Sequence, residues 1–468
     1  MNHRKTLNNL TDDYDVIVIG SGLGGLTAAR RLSVFGHRVL LLEQHKMLGG
    51  LATWFRRRKD VFDVSLHGFP IGMKKSLRKY WTQEIADRVV PLKRIIFDNP
   101  QFSLETTFTK DDFIRIITEN FKVPLETING FFNDVRKMDF FDNQQETTGQ
   151  LFERYFPGRS DVVRLLMEPI AYANGSTTNE PAITYGIVFS NFMSKGVYTI
   201  EGGTDWLINT MEKELLSTGV DICTGECVDQ IIVANGNVAG VSVGGRQIKA
   251  KTVISNANLK ATVLDMLPRT ALPTDFIQDA EEMRLSSSST QVYIGLKDGL
   301  EIPDIGDLLF TSTSPEFSSD ELSAMTTRSR TFSVYYPKTR PGHNRSTIVA
   351  SSNARYDDWA ALDDEDYAVA KAELIERALT DLDRYLPGIR ENIVHLEAAT
   401  PKTFEYYTRH PGGASFGTKF EGLKVSDQLP DVIPGLYHTG SAGIIMSGWL
   451  GAANYGAIVA NNVDRFLS

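Results

Sequence analysis

Residues 14–43 read YDVIVIGSGLGGLTAARRLSVFGHRVLLLE, and this stretch decides the fold. Its apolar residues 16–19 predict a buried strand that runs directly into the glycine-rich turn GSGLGG at residues 20–25. An amphipathic helix follows, Gly36 ends it, and residues 39–42 predict a second buried strand that ends at Glu43. The order strand, glycine turn, helix, strand and acidic residue is the complete dinucleotide-binding unit of a Rossmann-type sheet.

The glycines of this turn have separate predicted roles. Gly20 and Gly24 belong to the tight turn, Gly22 lets the backbone approach a pyrophosphate, and Gly25 permits close packing of the helix on the strand. The N–H groups of the helix N-terminus then face the phosphates. Glu43 is predicted to accept hydrogen bonds from both ribose hydroxyls, which favours a dinucleotide without a 2′-phosphate.

A second glycine pair distinguishes between dinucleotides. It lies in QHKMLGGLATWF, residues 44–55, soon after Glu43. Such a pair is unusual in NAD dehydrogenases and resembles the flavoprotein loop that follows the pyrophosphate and ribityl chain of FAD. We find no second strand–GxGxxG–helix unit, so a nicotinamide-binding domain is not expected. FAD is the predicted cofactor, and its predicted contacts in this loop are Gln44, Gly49, Gly50 and Leu51.

Composition excludes other classes of protein. The 468 residues carry a formal net charge of −9, which argues against a nucleic-acid partner. The two cysteines, Cys223 and Cys227, are interpreted as small apolar residues of a reducing compartment, since no further cysteine supplies ligands for a metal. No metal site is predicted. The polar N-terminus lacks a secretory signal, so the expected location is cytoplasmic.

Further motifs resemble the family of FAD-dependent oxidoreductases that contains phytoene desaturases, carotenoid isomerases and retinol saturases. The resemblance covers nearly the whole chain, in order. It rests on the Rossmann unit, LGGLAT (48–53), FDVSLHGF (62–69), YTIEGGTDWL (198–207), the strand-rich segment 219–257, TPKTFEYY (400–407) and PGLYHTGSAGIIMSGWLGAANYGA (434–457).

The resemblance implies an α/β fold. A Rossmann-type FAD-binding domain is interleaved with a mixed α+β substrate domain, in a topology like that of flavin amine oxidases. The implied FAD-binding domain comprises residues 14–92, 196–259 and 399–468. The implied substrate-binding or lid domain comprises residues 93–195 and 260–398.

Residues 438–460 contain no Asp, Glu, Lys or Arg, which raises the alternative of a membrane span. Pro434, Asn454 and six glycines between Gly435 and Gly456 disfavour it. The resemblance implies a strand, a turn at the ribityl chain, and a helix whose N-terminus points at the isoalloxazine ring. The cofactor contacts that it implies outside the first unit are Val228 at the adenine, Asn256, Gly440, Ser441, Gly448, Leu450 and Ala453.

Two residues depart from the family pattern. Ser65 replaces the glycine of the F-D-x-G motif, and Ser441 replaces a common acidic residue. His67 follows closely and is the first candidate for a catalytic residue beside the flavin, with a structural histidine as the alternative. Glu405 and Tyr406, with His410 nearby, are further candidates for moving a proton.

The resemblance implies a long unsaturated hydrophobic substrate, such as a carotenoid or other isoprenoid or a fatty-acyl chain. Desaturation, saturation and cis–trans isomerisation all remain open, as does the electron acceptor, quinone or oxygen. Two alternatives remain: a flavin amine oxidase, and a non-catalytic protein that binds FAD or lipid. Two basic clusters, Arg56–Lys59 and Lys74–Lys79, suggest peripheral contact with an anionic membrane surface, and solvated surface charges are the alternative.

Overall fold

The computed structural model describes residues 3–139, 145–340 and 343–468. The strands are β1 (Asp13–Ile19), β2 (Val39–Glu43), β3 (Trp54–Arg57), β4 (Asp60–Asp63), β5 (Phe69–Pro70), β6 (Val89–Pro91), β7 (Ile95–Asn99), β8 (Phe102–Thr106), β9 (Val197–Ile200), β10 (Asp221–Thr224), β11 (Val228–Ala234), β12 (Asn237–Val243), β13 (Arg246–Ser255), β14 (Ser288–Leu296), β15 (Leu308–Ser312), β16 (Ser329–Tyr335), β17 (Thr347–Ala354), β18 (Ile393–Ala399) and β19 (Leu436–His438).

The α-helices lie between groups of these strands or after the last of them, and five of them, α4 to α8, follow one another between β8 and β9. They are α1 (Leu23–Val34), α2 (Gly72–Tyr80), α3 (Gln83–Asp87), α4 (Lys110–Glu119), α5 (Leu125–Lys137), α6 (Thr148–Tyr155), α7 (Ser160–Asn174), α8 (Ala182–Met193), α9 (Gly203–Ser217), α10 (Leu259–Ala261), α11 (Thr274–Glu282), α12 (Tyr356–Ala360), α13 (Asp364–Asp383), α14 (Pro401–Thr408), α15 (Gly422–Val432) and α16 (Gly448–Leu467).

The first sheet is the predicted Rossmann-type sheet. Its strand order is β10-β2-β1-β13-β12-β11, and β19 pairs with β13 as a seventh strand. The pairings among β10, β2, β1, β13 and β19 are parallel, whereas β12 pairs with β13, and β11 with β12, in an antiparallel manner. The strands β1 and β2 are apolar throughout their centres because helices cover both faces of the sheet. The predicted strand–turn–helix–strand order is therefore confirmed.

The second sheet is mixed. Its strand order is β18-β14-β17-β16-β15-β7-β8, in which only the β15–β7 pairing is parallel. The helix α13 covers one face, where Leu374, Ala378 and Leu382 pack with Val292 and Phe332. The opposite face lies towards the β3–β4 hairpin and α7. These two sheets confirm the predicted α/β class with an interleaved mixed domain.

Packing around α10 and α11 differs from the implied division at residue 260. Leu259, Val263 and Phe276 belong to the hydrophobic core on one face of the first sheet, together with Ile17 and Val253. The chain therefore returns to the second sheet only after this segment, at β14.

The glycine-rich segment near the C-terminus forms β19, a turn and α16. Helices α1 and α16 pack closely, since a Cβ atom at Gly456 would lie 2.2 Å from the Gly24 carbonyl oxygen. Across the described part of the chain, no helix is both long enough and apolar enough to cross a membrane.

Candidate functional site

A large cavity lies between the two sheets. Its volume is about 1310 Å³, which exceeds the roughly 300–1,000 Å³ of a pocket for one small ligand. The cavity therefore has room for a dinucleotide and a second molecule. Its lining comes from both sheets, from the β3–β4 hairpin, and from the helices α7, α8, α14 and α16.

The glycine turn forms one end of this cavity. Gly20, Gly22 and Gly24 line it, and α1 begins at Leu23 with its free N–H groups at the same place. The Asn256 side chain lies over the turn: a Cβ atom at Gly22 would be 2.7 Å from Asn256 Nδ2, and one at Gly24 would be 2.8 Å from Asn256 Oδ1. A side chain at Gly22 or Gly24 would therefore clash with Asn256, in addition to taking the space that a phosphate needs.

Gly25 does not line the cavity, although it was predicted among the cofactor contacts. A Cβ atom there would lie 2.2 Å from the Gly20 carbonyl oxygen, so this glycine allows α1 to approach β1. Its backbone N–H donates to Asn256 Oδ1 at 2.9 Å. The predicted packing role of Gly25 is therefore observed, and its contribution to the site is to position Asn256.

Glu43 ends β2 at the cavity and is only 7% exposed. Its Oε2 accepts hydrogen bonds from the backbone N–H and the hydroxyl of Ser21, at 2.8 and 2.6 Å, and its Oε1 accepts from the His45 N–H at 2.8 Å. A carboxylate has about four acceptor positions, so about one remains for a ligand hydroxyl. The predicted hydrogen bonds from both ribose hydroxyls would need two free acceptor positions, which is more than Glu43 has in this geometry.

The second glycine pair lies against the first turn. Gly49 donates from its N–H to Ser21 Oγ at 3.1 Å, and a Cβ atom at Gly50 would lie 3.0 Å from the Gly22 Cα. Both glycines line the cavity, as do Gln44 and Leu51. The Leu51 carbonyl accepts a hydrogen bond from Ser65 Oγ at 2.7 Å, so the serine that departs from the family pattern holds this loop against the hairpin.

The turn before α16 completes this part of the cavity, where Gly440, Ser441, Gly448 and Leu450 are among the lining residues. Helix α16 begins at Gly448, so its unpaired N–H groups and the positive end of its dipole lie at the cavity. Ala453 is 2% exposed and does not line the cavity. Its predicted cofactor contact is therefore replaced by a packing role in the core.

Val228 and Asn256, which the resemblance implied as cofactor contacts, both line the cavity. Val228 begins β11 and is 7% exposed at the cavity, beside Glu226 and Asp229. Asn256 follows β13 directly, at the carboxyl end of the central parallel strands. Ligands of open α/β sheets bind outside the carboxyl ends of their strands, and both residues lie there.

His67 lies between β4 and β5 and packs against the cavity-facing side of the second sheet. Gln291 Nε2 lies 3.3 Å from His67 Nε2, and Tyr293 donates its hydroxyl proton to Gln291 Oε1. Because the amide nitrogen is a donor, His67 Nε2 accepts, and the ring proton lies on Nδ1. That Nδ1–H donates to Ser333 Oγ at 2.8 Å. Two strands of the second sheet therefore set the orientation and tautomer of His67.

Burial lowers the pKa of His67 to about 4, although the nearby Asp63 carboxylate acts in the opposite direction. The imidazole is therefore neutral at pH 7. A neutral imidazole carries one N–H and one lone pair, so it can take a proton at Nε2 and give one up at Nδ1.

Apolar side chains from α7, α8 and β15 form another part of the cavity. They are contributed mainly by aromatic and branched residues: Phe108, Ile170, Ile187, Val188, Phe192, Leu308 and Phe310. This part continues from His67 without a dividing wall of the protein, since all of these residues line one cavity. It fits an apolar molecule next to the glycine-lined part.

Two of the predicted catalytic residues lie outside the cavity. Tyr406 is 78% exposed, and neither Tyr406 nor Glu405 lines the cavity. Glu405 instead accepts hydrogen bonds from the Tyr356 hydroxyl at 2.5 Å and the Gly412 N–H at 3.1 Å, which hold α14 to its neighbours. His410 does line the cavity; its Nδ1 lies 2.9 Å from the Ala414 carbonyl, and burial lowers its pKa.

The sequence analysis missed several residues at the site. Gln291 and Ser333 contact His67 from strands more than two hundred residues away along the chain. Phe69 and Trp449 form a stacked pair, with ring centroids 5.4 Å apart, in the cavity wall. The motif FDVSLHGF indicates that Phe69 and His67 lie near the site. No local sequence pattern predicts Gln291 and Ser333 as partners of His67, because only the register of the strands brings them together.

The fold and the cavity together define a dinucleotide-binding α/β protein with a second, mixed sheet over its site. Residues 23–454 match the family model described as flavin containing amine oxidoreductase. The chain belongs to this family, which is flavin-containing.

Curated relatives lie at low identity over nearly the whole chain. The chloroplastic prolycopene isomerase of Daucus carota is 26% identical, across 96% of this chain and 80% of that protein. The all-trans-retinol 13,14-reductase of Homo sapiens is 22% identical, across 97% of this chain and 86% of that protein. An oxidoreductase structure from Methanosarcina mazei matches with a TM-score of 0.69 at 18% identity, across 95% of this chain and 99% of that one.

Proposed function

We propose that this protein is an FAD-dependent oxidoreductase that acts on a long unsaturated hydrophobic molecule, such as an isoprenoid or carotenoid or a fatty-acyl chain. The observation that carries the proposal is the continuity of the cavity: the glycine turn, His67 and the apolar part of α7, α8 and β15 line the same space. A cofactor held at the glycine turn and a substrate chain held in the apolar part would meet beside His67.

The residues present fit FAD. Two helix N-termini, at Leu23 and Gly448, supply N–H groups for anionic oxygens. Among the described residues outside α7 and the second sheet, four cavity-lining side chains carry buried donors or hydroxyls that have no protein partner, namely Thr53 Oγ1, Trp54 Nε1, Asn258 Nδ2 and Trp449 Nε1. Buried polar atoms are normally hydrogen-bonded, so these atoms suit a cofactor rich in hydroxyl and carbonyl groups. When bound, the flavin supplies hydride chemistry at carbon centres.

The protein contributes orientation and the proton. His67, held neutral between Gln291 and Ser333, is the group placed to hold or move a proton at Nε2. The apolar walls exclude water from the surroundings of a bound chain, because these walls offer water no hydrogen-bond partner. This arrangement serves desaturation, saturation and cis–trans isomerisation alike.

Two named relatives support an unsaturated apolar substrate. One is called an isomerase and the other a 13,14-reductase. Because the identities are 26% and 22%, these names bear on the class of reaction rather than on a particular molecule or direction.

The first test is the identity of the cofactor, by absorption spectrum and mass of the molecule released from purified protein. Photoreduced protein is then mixed without oxygen with a panel of polyenes and unsaturated acyl lipids. Reoxidation of the flavin indicates saturation, and altered double-bond geometry with the flavin still reduced indicates isomerisation. Oxidised protein that becomes reduced by a panel member indicates desaturation, after which oxygen and quinones are compared as acceptors.

Other results would contradict the proposal. Absence of any bound or bindable flavin contradicts the cofactor, and stoichiometric peroxide from an amine would instead favour an amine oxidase. A flavin that no reductant and no panel member perturbs would favour a non-catalytic binding protein.

A further inference from the structure

The second sheet presents polar side chains to the cavity beside the apolar part. Gln291, Ser351 and Thr331 lie side by side on β14, β17 and β16, since Ser351 pairs in register with both of the others. We call these three residues the polar row. All of them line the cavity, and Ser289 and Asn353 form the adjoining register pair on the same sheet. None of these side chains is charged.

On α7 and the described strands of the second sheet, three cavity-lining side chains have a buried polar atom without a protein partner. They are the Tyr172 hydroxyl, Asn174 Nδ2 and Ser351 Oγ. Neighbouring polar groups are satisfied: Asn353 Nδ2 donates to the Ala171 carbonyl at 2.9 Å, and Gln291 contacts His67 and Tyr293. On this wall the three unpaired atoms therefore lie beside groups whose hydrogen bonds are complete.

These atoms belong to one region of the cavity. The Asn353–Ala171 hydrogen bond holds the C-terminal turn of α7, which carries Tyr172 and Asn174, against β17, which carries Ser351. The Tyr172 ring also lies 5.9 Å from the Phe310 ring, and Phe310 pairs in register with Thr331 of the polar row. Helix α7 and the second sheet thus bring the three side chains together, away from the glycine turn.

A purely hydrocarbon molecule is a poor match for this region. It would displace water from the three atoms and offer no hydrogen-bond partner in return, which is unfavourable for each of them. All three groups can donate a hydrogen bond, so the complementary group on a ligand is an acceptor oxygen.

The charge of that acceptor follows from its surroundings. Burial lowers the pKa values of His67 and His410, so both imidazoles are neutral at pH 7. Across the described lining, the cationic side chains are Arg57, Lys371 and Arg409, which lie on β3, on α13 and after α14 rather than on α7 or the polar row. The buried cations near these residues are already paired, Arg164 with Glu168 at 3.0 Å, Arg330 with Asp381 at 2.5 Å and Lys419 with Glu180 at 3.2 Å. A carboxylate at this position would therefore be buried without a free counter-ion, which is costly.

We propose that the substrate carries a neutral oxygen function, a hydroxyl or carbonyl group, on its apolar chain, and that Tyr172, Asn174 and Ser351 recognise this group. The proposal rests on the proposed function, because it takes the apolar part of the cavity as the site of the chain. It narrows the substrate class from unsaturated hydrophobic molecules in general to oxygenated ones.

The test compares four ligands of one chain length on the oxidised holoprotein: a polyene hydrocarbon and its terminal alcohol, aldehyde and carboxylic acid. Dissociation constants are measured from the change in flavin absorbance and, independently, by equilibrium dialysis. We expect the alcohol or the aldehyde to bind about tenfold more tightly than the hydrocarbon. The carboxylic acid, ionised at pH 8, should bind more weakly than the alcohol.

Two variants assign the preference to named atoms. Ser351→Ala and Tyr172→Phe each remove an unpaired hydroxyl and should reduce the alcohol-to-hydrocarbon ratio severalfold, without weakening the hydrocarbon. Tyr185→Phe is the matched control, because its hydroxyl donates to the Leu166 carbonyl and it does not line the cavity. Asn174 is left unchanged, since its Oδ1 accepts from the Ser176 N–H at 2.9 Å and supports the turn.

The outcomes separate this proposal from the one on which it rests. Equal affinity for hydrocarbon and alcohol would contradict the proposal that the site recognises an oxygen group on the substrate. An alcohol-to-hydrocarbon affinity ratio that neither variant changes would contradict it as well. Both results leave the proposal of an apolar substrate unaffected. Selective binding of the alcohol without any redox or isomerase response contradicts the proposed reaction alone. Failure of all four ligands to bind contradicts both.

Discussion

Glu43 shows at the scale of a residue how one carboxylate organises the dinucleotide-binding end. It accepts hydrogen bonds from the Ser21 N–H, the Ser21 hydroxyl and the His45 N–H, and thereby joins the glycine turn to the loop after β2. Ser21 Oγ in turn accepts from the Gly49 N–H. Glu43 therefore supports the second glycine pair indirectly.

We expect Glu43→Ala to raise the dissociation constant for FAD about tenfold or more, because hydrogen bonds to a charged group are stronger than neutral ones. The measurement is flavin retention and titration of the apoprotein. Glu226→Ala is the matched control, since Glu226 also lines the cavity but makes no hydrogen bond to the glycine turn in the described structure. Equal loss in both variants would indicate a general effect of negative charge.

His67 should act in its neutral form. We expect His67→Gln to keep its flavin and to lose turnover by about 100-fold or more if the imidazole moves the proton. With a pKa of about 4, the wild-type rate should show no inflection from His67 near pH 6.5. An inflection near pH 6.5 that disappears in His67→Gln would contradict the lowered pKa, because it would show that His67 titrates near its ordinary value during turnover.

The same shift of the His67 pKa affects stability. The unfolded chain protonates this histidine near pH 6.5, whereas the folded protein does so near pH 4, so the unfolded state binds more protons between these values. The free energy of unfolding should therefore fall as pH decreases from about 6.5 to 4. His67→Gln should show a smaller fall over this window, measured by urea denaturation, and His438, whose pKa burial also lowers to about 4, accounts for part of the remainder.

At the scale of secondary-structure elements, the two basic clusters differ in their charge environment. In the β3–β4 hairpin, Arg57 pairs with Glu397 at 3.1 Å and Lys59 pairs with Asp298 at 3.7 Å. On α2, Lys75, Arg78 and Lys79 are exposed, and the described residues provide no ion pair for them. The helix is therefore the better candidate for an anionic surface.

We expect replacement of Lys75, Arg78 and Lys79 by Gln to weaken retention on vesicles that contain anionic lipid, since each cation near such a surface contributes about 1 kcal/mol. The matched control replaces Arg57 and Lys59 by Gln and should have the smaller effect, because those charges are already paired. Vesicle sedimentation at low salt measures both. If the unmodified protein is not retained at all, the basic residues of α2 are only solvated surface charges.

At the scale of the whole molecule, a buried ion pair connects the β3–β4 hairpin to the second sheet. Asp63 ends β4 and is 1% exposed, and it contacts Arg340, which follows β16 and is 3% exposed. The same carboxylate accepts a hydrogen bond from the Thr204 N–H at 2.8 Å at the start of α9. Asp63 lies only four residues before His67, so this network also holds the segment that carries the candidate catalytic residue.

Arg340→Met should destabilise the protein by about 3–5 kcal/mol, because it leaves the Asp63 carboxylate buried without its partner. Chemical denaturation followed by circular dichroism and by flavin fluorescence measures the effect, and both signals should shift together. The control is Arg269→Gln, whose pair with Glu281 is solvent-exposed and should contribute less than about 1 kcal/mol. A small effect of Arg340→Met would mean that the β3–β4 hairpin and the second sheet are held together mainly by apolar packing.

Local patterns determined much of the fold and part of the site. The unit from residue 14 to residue 43, the hairpins of β11 to β13, and the helix after Asp363 all follow from short-range periodicity, glycine turns and a capping aspartate. These signals lie within a few residues of the structure that they specify. For the same reason Gly20, Gly22, Glu43 and Gly49 were recognisable without coordinates.

Tertiary structure alone decided which polar groups surround the reacting region. Glu405 and Tyr406 follow a conspicuous motif, yet α14 turns Tyr406 into solvent and pairs Glu405 with Tyr356. Gln291, Ser333 and Ser351 carry no local signal, because a strand residue gains its function from the register of neighbouring strands. The sequence by itself thus determined the glycine turn, Glu43 and the second glycine pair, whose mutual contacts lie within residues 20–50. The registry of the second sheet decided the substrate side, because its contacts join segments that are far apart along the chain.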